Sequence, residues 1–370
     1  MKIGIMSMQR IPNLGSFMQA YGLKKMIEAQ GHEVVFIDVP KGRPIENRGY
    51  GSDKQNINRI YNKLAKIRYI IHTFVYKKKH FKYYQTEFQN YLKEYLGLKD
   101  EEIFENCDVL VVGSDEMFNC LNSEYGFTMA PFGKYEKAKK IITYAASCGW
   151  TRYEYLNKEQ IKELEKSIAN LSAISVRDSN TKAFISELTT KSINMHLDPV
   201  LVSDYSDFFK EPKNPLVDRP YILVYAYYNR ISDKKHIKEI KQLAKEHGCI
   251  TVSVGSPQFW CDKYVTISPV NLLSLFRNAK FVVTDTFHGT IFSVISQSQF
   301  GTMIRKSNNN KLSYLLESLK LENRIVSGDG SIKELFSKRI DYTKTINILE
   351  QEKVKTREYL LENLKNNANI

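Results

Sequence analysis

No two of the five cysteines, Cys107, Cys120, Cys148, Cys249 and Cys261, form a Cys-x-x-Cys pair. An odd, scattered set in a large chain excludes a disulfide framework and a zinc ribbon, and fits reduced thiols in a cytoplasmic protein. Long hydrophobic runs are missing too. The weakly charged stretch 281–304 still holds Asp285, His288 and two glycines, too polar to span a bilayer. The N-terminal MKIGIMSMQR is short of the about 7–15 apolar residues of a signal peptide. Neither the G-x-G-x-x-G of a dinucleotide site nor the Lys-Ser/Thr of a P-loop follows the first strand. No helix-turn-helix, zinc-finger or RNA-recognition signature supports nucleic-acid binding.

The chain does hold enough to build cores: 370 residues, 42% hydrophobic and 12% aromatic. Single cores stop growing near roughly 250–300 residues, so two domains are expected. The formal net charge is +13, and residues 41–99 carry most of it, with fourteen Lys/Arg against four acids. Such a surplus favours anionic partners.

The organisation reads as α/β and doubly wound. MKIGIM (1–6) is a strand, a helix spans about 16–30 to Gly31, and VVFIDV (34–39) is a second strand. After an irregular basic excursion, apolar spacings of three and four predict a helix from Arg59 to about Leu96. DVLVVGSD (108–115), KIITYAAS (140–147), AISVRD (173–178) and INMHLDP (193–199) are further strands. The pattern restarts at PYILVYAY (220–227), then a Lys-rich helix (about 233–247), CITVSVG (249–255), a helix (271–279), KFVVTD (280–285) and a helix over 290–298. An amphipathic helix spans about 345–366. Pro212 and Pro215 mark a linker between two Rossmann-like domains, 1–205 (with the excursion 41–99) and 206–344. A cleft between them would hold a ligand at the carboxyl ends of the strands.

Strand-end loops supply the candidate chemistry. In TDTFHGTIFS (284–293), His288 suits a proton donor, Gly289 a close backbone approach, and Thr290 a helix cap beside Thr286. Arg177 ends an apolar strand and suits an anion, or a salt bridge to Asp178 or Asp198. The loop Gly113–Asn119 offers the adjacent carboxylates Asp115 and Glu116 as proton acceptors, with Ser114 and Asn119 beside them. Asn13, Gly15 and Gln19 could contact the same ligand, and Arg305 and Lys306 are further cations.

In this order, IGIMSMQRIPNLGSFMQAYGLKKMIEAQGHEVVFID, VVGSDEMFN, ITYAASCG, AISVRD, LDPVLV and FVVTDTFHGTIFS resemble the polysaccharide pyruvyl transferase family over roughly residues 1–325. The resemblance implies a GT-B-like fold, with two Rossmann-like domains facing a cleft and a C-terminal helix (345–370) returning to the first. It implies transfer of pyruvate from phosphoenolpyruvate to two sugar hydroxyls as a cyclic ketal, with no metal and no cofactor. His288 maps to the family's general acid and Arg177 to the arginine that holds the donor anion. Some members carry Arg-Leu-His where this chain has Thr286-Phe287-His288, so another cation must replace that arginine. Glu116 and Phe118 stand where relatives often have Gln and Trp. The implied acceptor is a sugar on a polyprenyl phosphate. The basic–aromatic stretch 59–84 would then dock at the anionic cytoplasmic membrane face, against the simpler reading of a solvated lysine-rich helix face. A nucleotide-sugar glycosyltransferase and a basic nucleic-acid binder are the competing readings.

Overall fold

The computed structural model describes residues 1–43, 45, 82–83, 86–209, 216–228, 230–305, 308–328 and 331–365. The chain divides into two compact units, one of 1–51, 92–204 and 346–370, the other of 52–91 and 205–345. Most of the helix expected over 59–96 lies outside the described residues, as do Pro212, Pro215 and Lys306. The described part of that stretch, Lys82-Tyr83 and Glu87–Tyr91, groups with the second unit, whereas the sequence assigned the whole excursion to the first.

The first unit opens with β1 (Lys2–Met6), α1 (Leu14–Glu28) and β2 (Glu33–Phe36). Asn13 starts α1 by accepting the Gly15 and Ser16 N–H groups, which the loop-to-helix reading placed two residues later. The short α2 (Glu87–Tyr91) belongs to the second unit, and a π-helical turn, Leu92–Leu96, re-enters the first. Then follow β3 (Cys107–Val112), β4 (Ala138–Thr143), α3 (Lys158–Ile168), β5 (Ile174–Val176), α4 (Ser179–Ser186), β6 (Ile193–Met195) and α5 (Pro199–Val202). Strands β2-β1-β3-β4 are parallel neighbours. Parallel bridges Ile142–Ala173 and Ala146–Val176 carry β5 beside β4, and β6 pairs with β5. Parallel strands buried on both faces need continuous apolar runs, and Val109, Leu110, Val111 and Val112 supply one. The order reverses between β1 and β3, which makes their carboxyl ends the switch point of this sheet.

The second unit holds β7 (Tyr221–Tyr225), α6 (Lys234–Glu246), β8 (Ile250–Val254), β9 (Lys263–Val265), α7 (Leu272–Arg277), β10 (Phe281–Thr284), α8 (Phe287–Ile295), β11 (Phe300–Thr302), α9 (Asn309–Ser318) and α10 (Ser331–Ser337). Its sheet runs β11-β10-β7-β8-β9, all parallel, so the switch point falls between β7 and β10. Ile222, Val224, Phe281 and Val283 are its buried centre.

A last helix, α11 (Thr343–Asn363), leaves the second unit at residue 345 and completes the first. There Tyr359 donates to the Thr143 carbonyl at 2.8 Å and Lys140 to the Asn363 carbonyl at 2.7 Å. Buried His196 packs its ring 4.6 Å from that of Tyr359. Among the described residues no helix is long and apolar enough to cross a membrane.

Candidate active site

At the switch point of the first sheet, β3 empties into Gly113–Asn119. Gly113 has φ +132, and a Cβ there would sit 2.0 Å from the Tyr144 carbonyl oxygen, so only glycine fits. The turn leaves Asp115 at φ 76, a costly left-handed backbone held by its bonds. Its carbonyl accepts from Ser147 N–H at 2.9 Å, and its carboxylate accepts from Ser16 Oγ at 2.8 Å and Glu116 N–H at 2.9 Å. Arg177, only 5% exposed, donates to Asp198 at 2.9 Å and stands 3.9 Å from Asp115. Burial pulls its guanidinium down, but Asp198, Asp115, Asp178 and Glu116 outweigh that and leave it raised. Gln19 donates to the same Asp198 carboxylate.

The rest of the first cluster is equally engaged. Asn119 donates to Glu116 Oε2 at 2.9 Å and accepts from Thr151 Oγ1 at 3.0 Å. Ser114 is fully buried, and Gly15 is buried in the first turn of α1. The structure therefore gathers Asn13, Gly15, Gln19, Ser114, Asp115, Glu116, Asn119 and Arg177 at one sheet edge, mostly bonded to protein. Arg177 meets two acids there instead of presenting its charge outward. Glu116 is the half-exposed carboxylate of the group. Ser16, read from the sequence as part of the stretch Asn13–Ser16 beside Gln19, lies in the first turn of α1 and bonds Asp115.

The second switch point is built differently. The helix after β10 starts at Phe287, three residues before the expected boundary, because Thr286 is its cap. Thr286 Oγ1 accepts the Gly289 N–H at 2.9 Å. Thr290, expected to cap, instead donates to the Thr286 carbonyl at 3.0 Å inside the helix. Gly289 does not open the backbone to a ligand, because its N–H is already used. A Cβ there would lie 2.1 Å from Thr284 Oγ1 and 2.7 Å from Tyr225 Cδ1, so the residue is small for packing.

His288 stands half-buried in the first turn of α8. The Phe287 ring meets it edge-on at 5.5 Å and the Phe292 ring lies 6.0 Å away, tilted by 28°. Beside it Asp285 is 2% exposed, and Arg305 from the end of β11 reaches it at 3.2 Å. Burial pushes the Asp285 carboxyl up, against the pull of Arg305 and then Arg230. Asn308 ties the two strand ends together, donating to the Asp285 carbonyl and accepting the Arg305 N–H, both at 2.8 Å. Arg230, after β7, lies 4.4 Å over the Tyr227 ring. Two guanidiniums and the positive end of α8 thus meet at one strand edge, an arrangement suited to an anion. Arg230 and Asn308 went unnoticed in the sequence, where nothing but the end of the PYILVYAY strand pointed to Arg230.

Among the described residues no three His, Cys, Asp or Glu side chains group as a metal site. A family model described as polysaccharide pyruvyl transferase matches residues 13–300. No curated protein matches the chain. Of solved structures, the UDP-GlcNAc 2-epimerase from Methanocaldococcus jannaschii is 11% identical, with a TM-score of 0.51 over 97% of this chain and 99% of that one. S. aureus MnaA, solved with UDP, gives 11%, 0.47, and 98% against 97%. A functionally uncharacterised protein from Klebsiella pneumoniae gives 12%, 0.45, and 88% against 93%. The epimerase likeness shows a shared GT-B-like fold of two Rossmann-like units.

Proposed function

The chain belongs to the polysaccharide pyruvyl transferase family, and from that premise we propose that it moves pyruvate from phosphoenolpyruvate to two hydroxyls of one sugar as a cyclic ketal. The observation that carries the reading is His288 in the first turn of α8, beside Asp285 with Arg305 and Arg230. Carboxylate and phosphate on the donor call for fixed positive charge, which the two arginines and the helix end supply. Arg305 and Arg230 then do the work of the arginine missing before His288. Arg177, covered by acids, holds Asp115 and Asp198 in place instead.

The steps balance without a cofactor or oxidant. His288 gives a proton to the methylene carbon of phosphoenolpyruvate as a sugar hydroxyl forms a C–O bond to the adjacent carbon. That hydroxyl loses its proton to a general base. Breaking the C–O bond to phosphate, which leaves, lets the second hydroxyl add to the same carbon and lose its proton, closing the ketal.

The test is phosphate release from phosphoenolpyruvate across a panel of surface saccharides, free and polyprenyl-linked, with product mass. A gain of the pyruvate ketal supports the reading. A thermal shift with UDP-sugars and none with phosphoenolpyruvate replaces it with glycosyl transfer. The acceptor we assign is polyprenyl-phosphate-linked, met at the cytoplasmic membrane face through 59–84. No co-sedimentation with anionic vesicles at low salt sinks that docking.

A further inference from the structure

The far edge of the second sheet carries a depression that the proposed chemistry does not use. The end of β9 and the loop after it line a cavity of about 610 Å³ with α2 and Lys82-Tyr83. That is within the roughly 300–1,000 Å³ of small-molecule sites. Three phenol rings, Tyr83, Tyr91 and Tyr264, stand in its wall with two lysines, Lys82 and Lys263. Two bonds brace the wall: Tyr83 Oη donates to the Ile267 carbonyl at 2.5 Å, and Lys263 Nζ to the Leu216 carbonyl at 2.9 Å.

Thr266 and Ser268 also line the cavity, and their hydroxyl oxygens are buried with no hydrogen-bond partner among the described residues. Buried polar groups are rarely left so, since each unmet one forfeits the hydrogen bonds it made to water. A ligand rich in groups that both donate and accept would meet them.

We propose that this cavity is a saccharide subsite, holding a sugar of the acceptor chain remote from the one being modified. The inference rests on the acceptor being a saccharide. A pyranose has C–H faces that stack on phenol rings and a rim of hydroxyls for Thr266, Ser268 and the lysines. Two lysines against one lining carboxylate, Glu87, suit a neutral or acidic sugar better than a polyphosphate. β9 and β10 are separated by β8 and β7 in the sheet. At about 4.8 Å per strand the cavity and the end of β10 are roughly 14 Å apart along one edge, more than a single sugar ring. The subsite therefore selects for chain length: a monosaccharide placed at His288 does not reach it.

The experiment uses the full chain and a set of bacterial capsule and cell-wall oligosaccharides from one to six sugars. Binding is read on an array of these saccharides, and turnover by phosphate release from phosphoenolpyruvate. Thr266→Val, nearly isosteric, and Tyr264→Ala are each expected to weaken binding of the longer saccharides about tenfold and to leave single sugars unchanged. In turnover they raise KM for the longer acceptors and spare kcat. Equal binding by wild type and both variants overturns the subsite. An equal loss for short and long saccharides also overturns it, because that marks a change in the fold. Length-dependent binding without phosphate release keeps the subsite and removes pyruvyl transfer. Phosphate release without length dependence does the reverse.

Discussion

Arg177 in the first unit is 5% exposed and meets Asp198 and Asp115, while the Arg305 side chain in the second is 22% exposed and meets Asp285. Arg177 directly follows β5 and Arg305 comes three residues after β11, yet one is sealed by acids and the other reaches the surface. Burial decides the difference. A fully buried guanidinium must be neutralised nearby, and a second carboxylate does that in the first unit. A partly exposed one is screened by water as well as by Asp285. The comparison teaches that strand-end position alone locates polar clusters, and that, among the described residues, burial sets how many carboxylates each guanidinium meets.

The largest effect should fall on the exposed side. His288→Ala is expected to lower kcat/KM for phosphoenolpyruvate by about 10²–10⁴-fold with an unchanged melting temperature, the signature of a lost proton donor. Near-normal turnover would end that role. On the sealed side, Arg177→Met leaves Asp198 and Asp115 buried and unneutralised, and should cost about 3–5 kcal/mol of stability in denaturant unfolding. A small stability change with a large rise in KM for phosphoenolpyruvate would instead return Arg177 to the donor and collapse the contrast.

Acid should also act on the first unit. Burial, helped by Lys355, lowers the His196 pKa to about 4. An unfolded histidine titrates near 6.5, so the unfolded chain takes the proton first. This contribution is complete above about pH 6.5, is lost as pH falls toward 4, and amounts to about 3 kcal/mol. His196→Phe should flatten that part of the stability–pH curve. A smaller effect sharpens the second unit. Gly289→Ala forces a methyl against Thr284, whose hydroxyl is held by the Tyr225 carbonyl at 2.7 Å. It should cost about 1–3 kcal/mol and displace His288, seen as a lowered melting temperature with reduced turnover. The smallest is Thr286→Val, which removes the cap of α8 and should cost about 1 kcal/mol.

Long apolar runs made most strands legible: DVLVVGSD and KFVVTD gave β3 and β10, trimmed at their polar ends. Short ones were not. Phe300–Thr302 is three residues, and Lys263–Val265 begins on a lysine, so neither carries a period. The helix after β10 was placed late because Phe287, His288 and Gly289 resemble a loop. What makes them helical is a side-chain bond from Thr286, which no periodicity records. That His288 and the Asp115 loop follow strands of their own units, and that Arg305 comes beyond the helix after β10, was readable from position. The salt bridge of Arg177 to Asp198 was one of its two sequence readings, but Asp115 and Gln19 joining that pair was not legible, because those residues come together only in the folded sheet.

The return of α11 to the first unit carries a consequence for the order of synthesis. Residues 205–345 are made and can fold before 346–363 exist, yet Thr143, Tyr144 and His196 wait for Thr356 and Tyr359 to cover them. The first-made unit is thus completed last, by contacts spanning more than 200 residues. A released chain ending at residue 345 should show a closed second unit and a protease-sensitive first one.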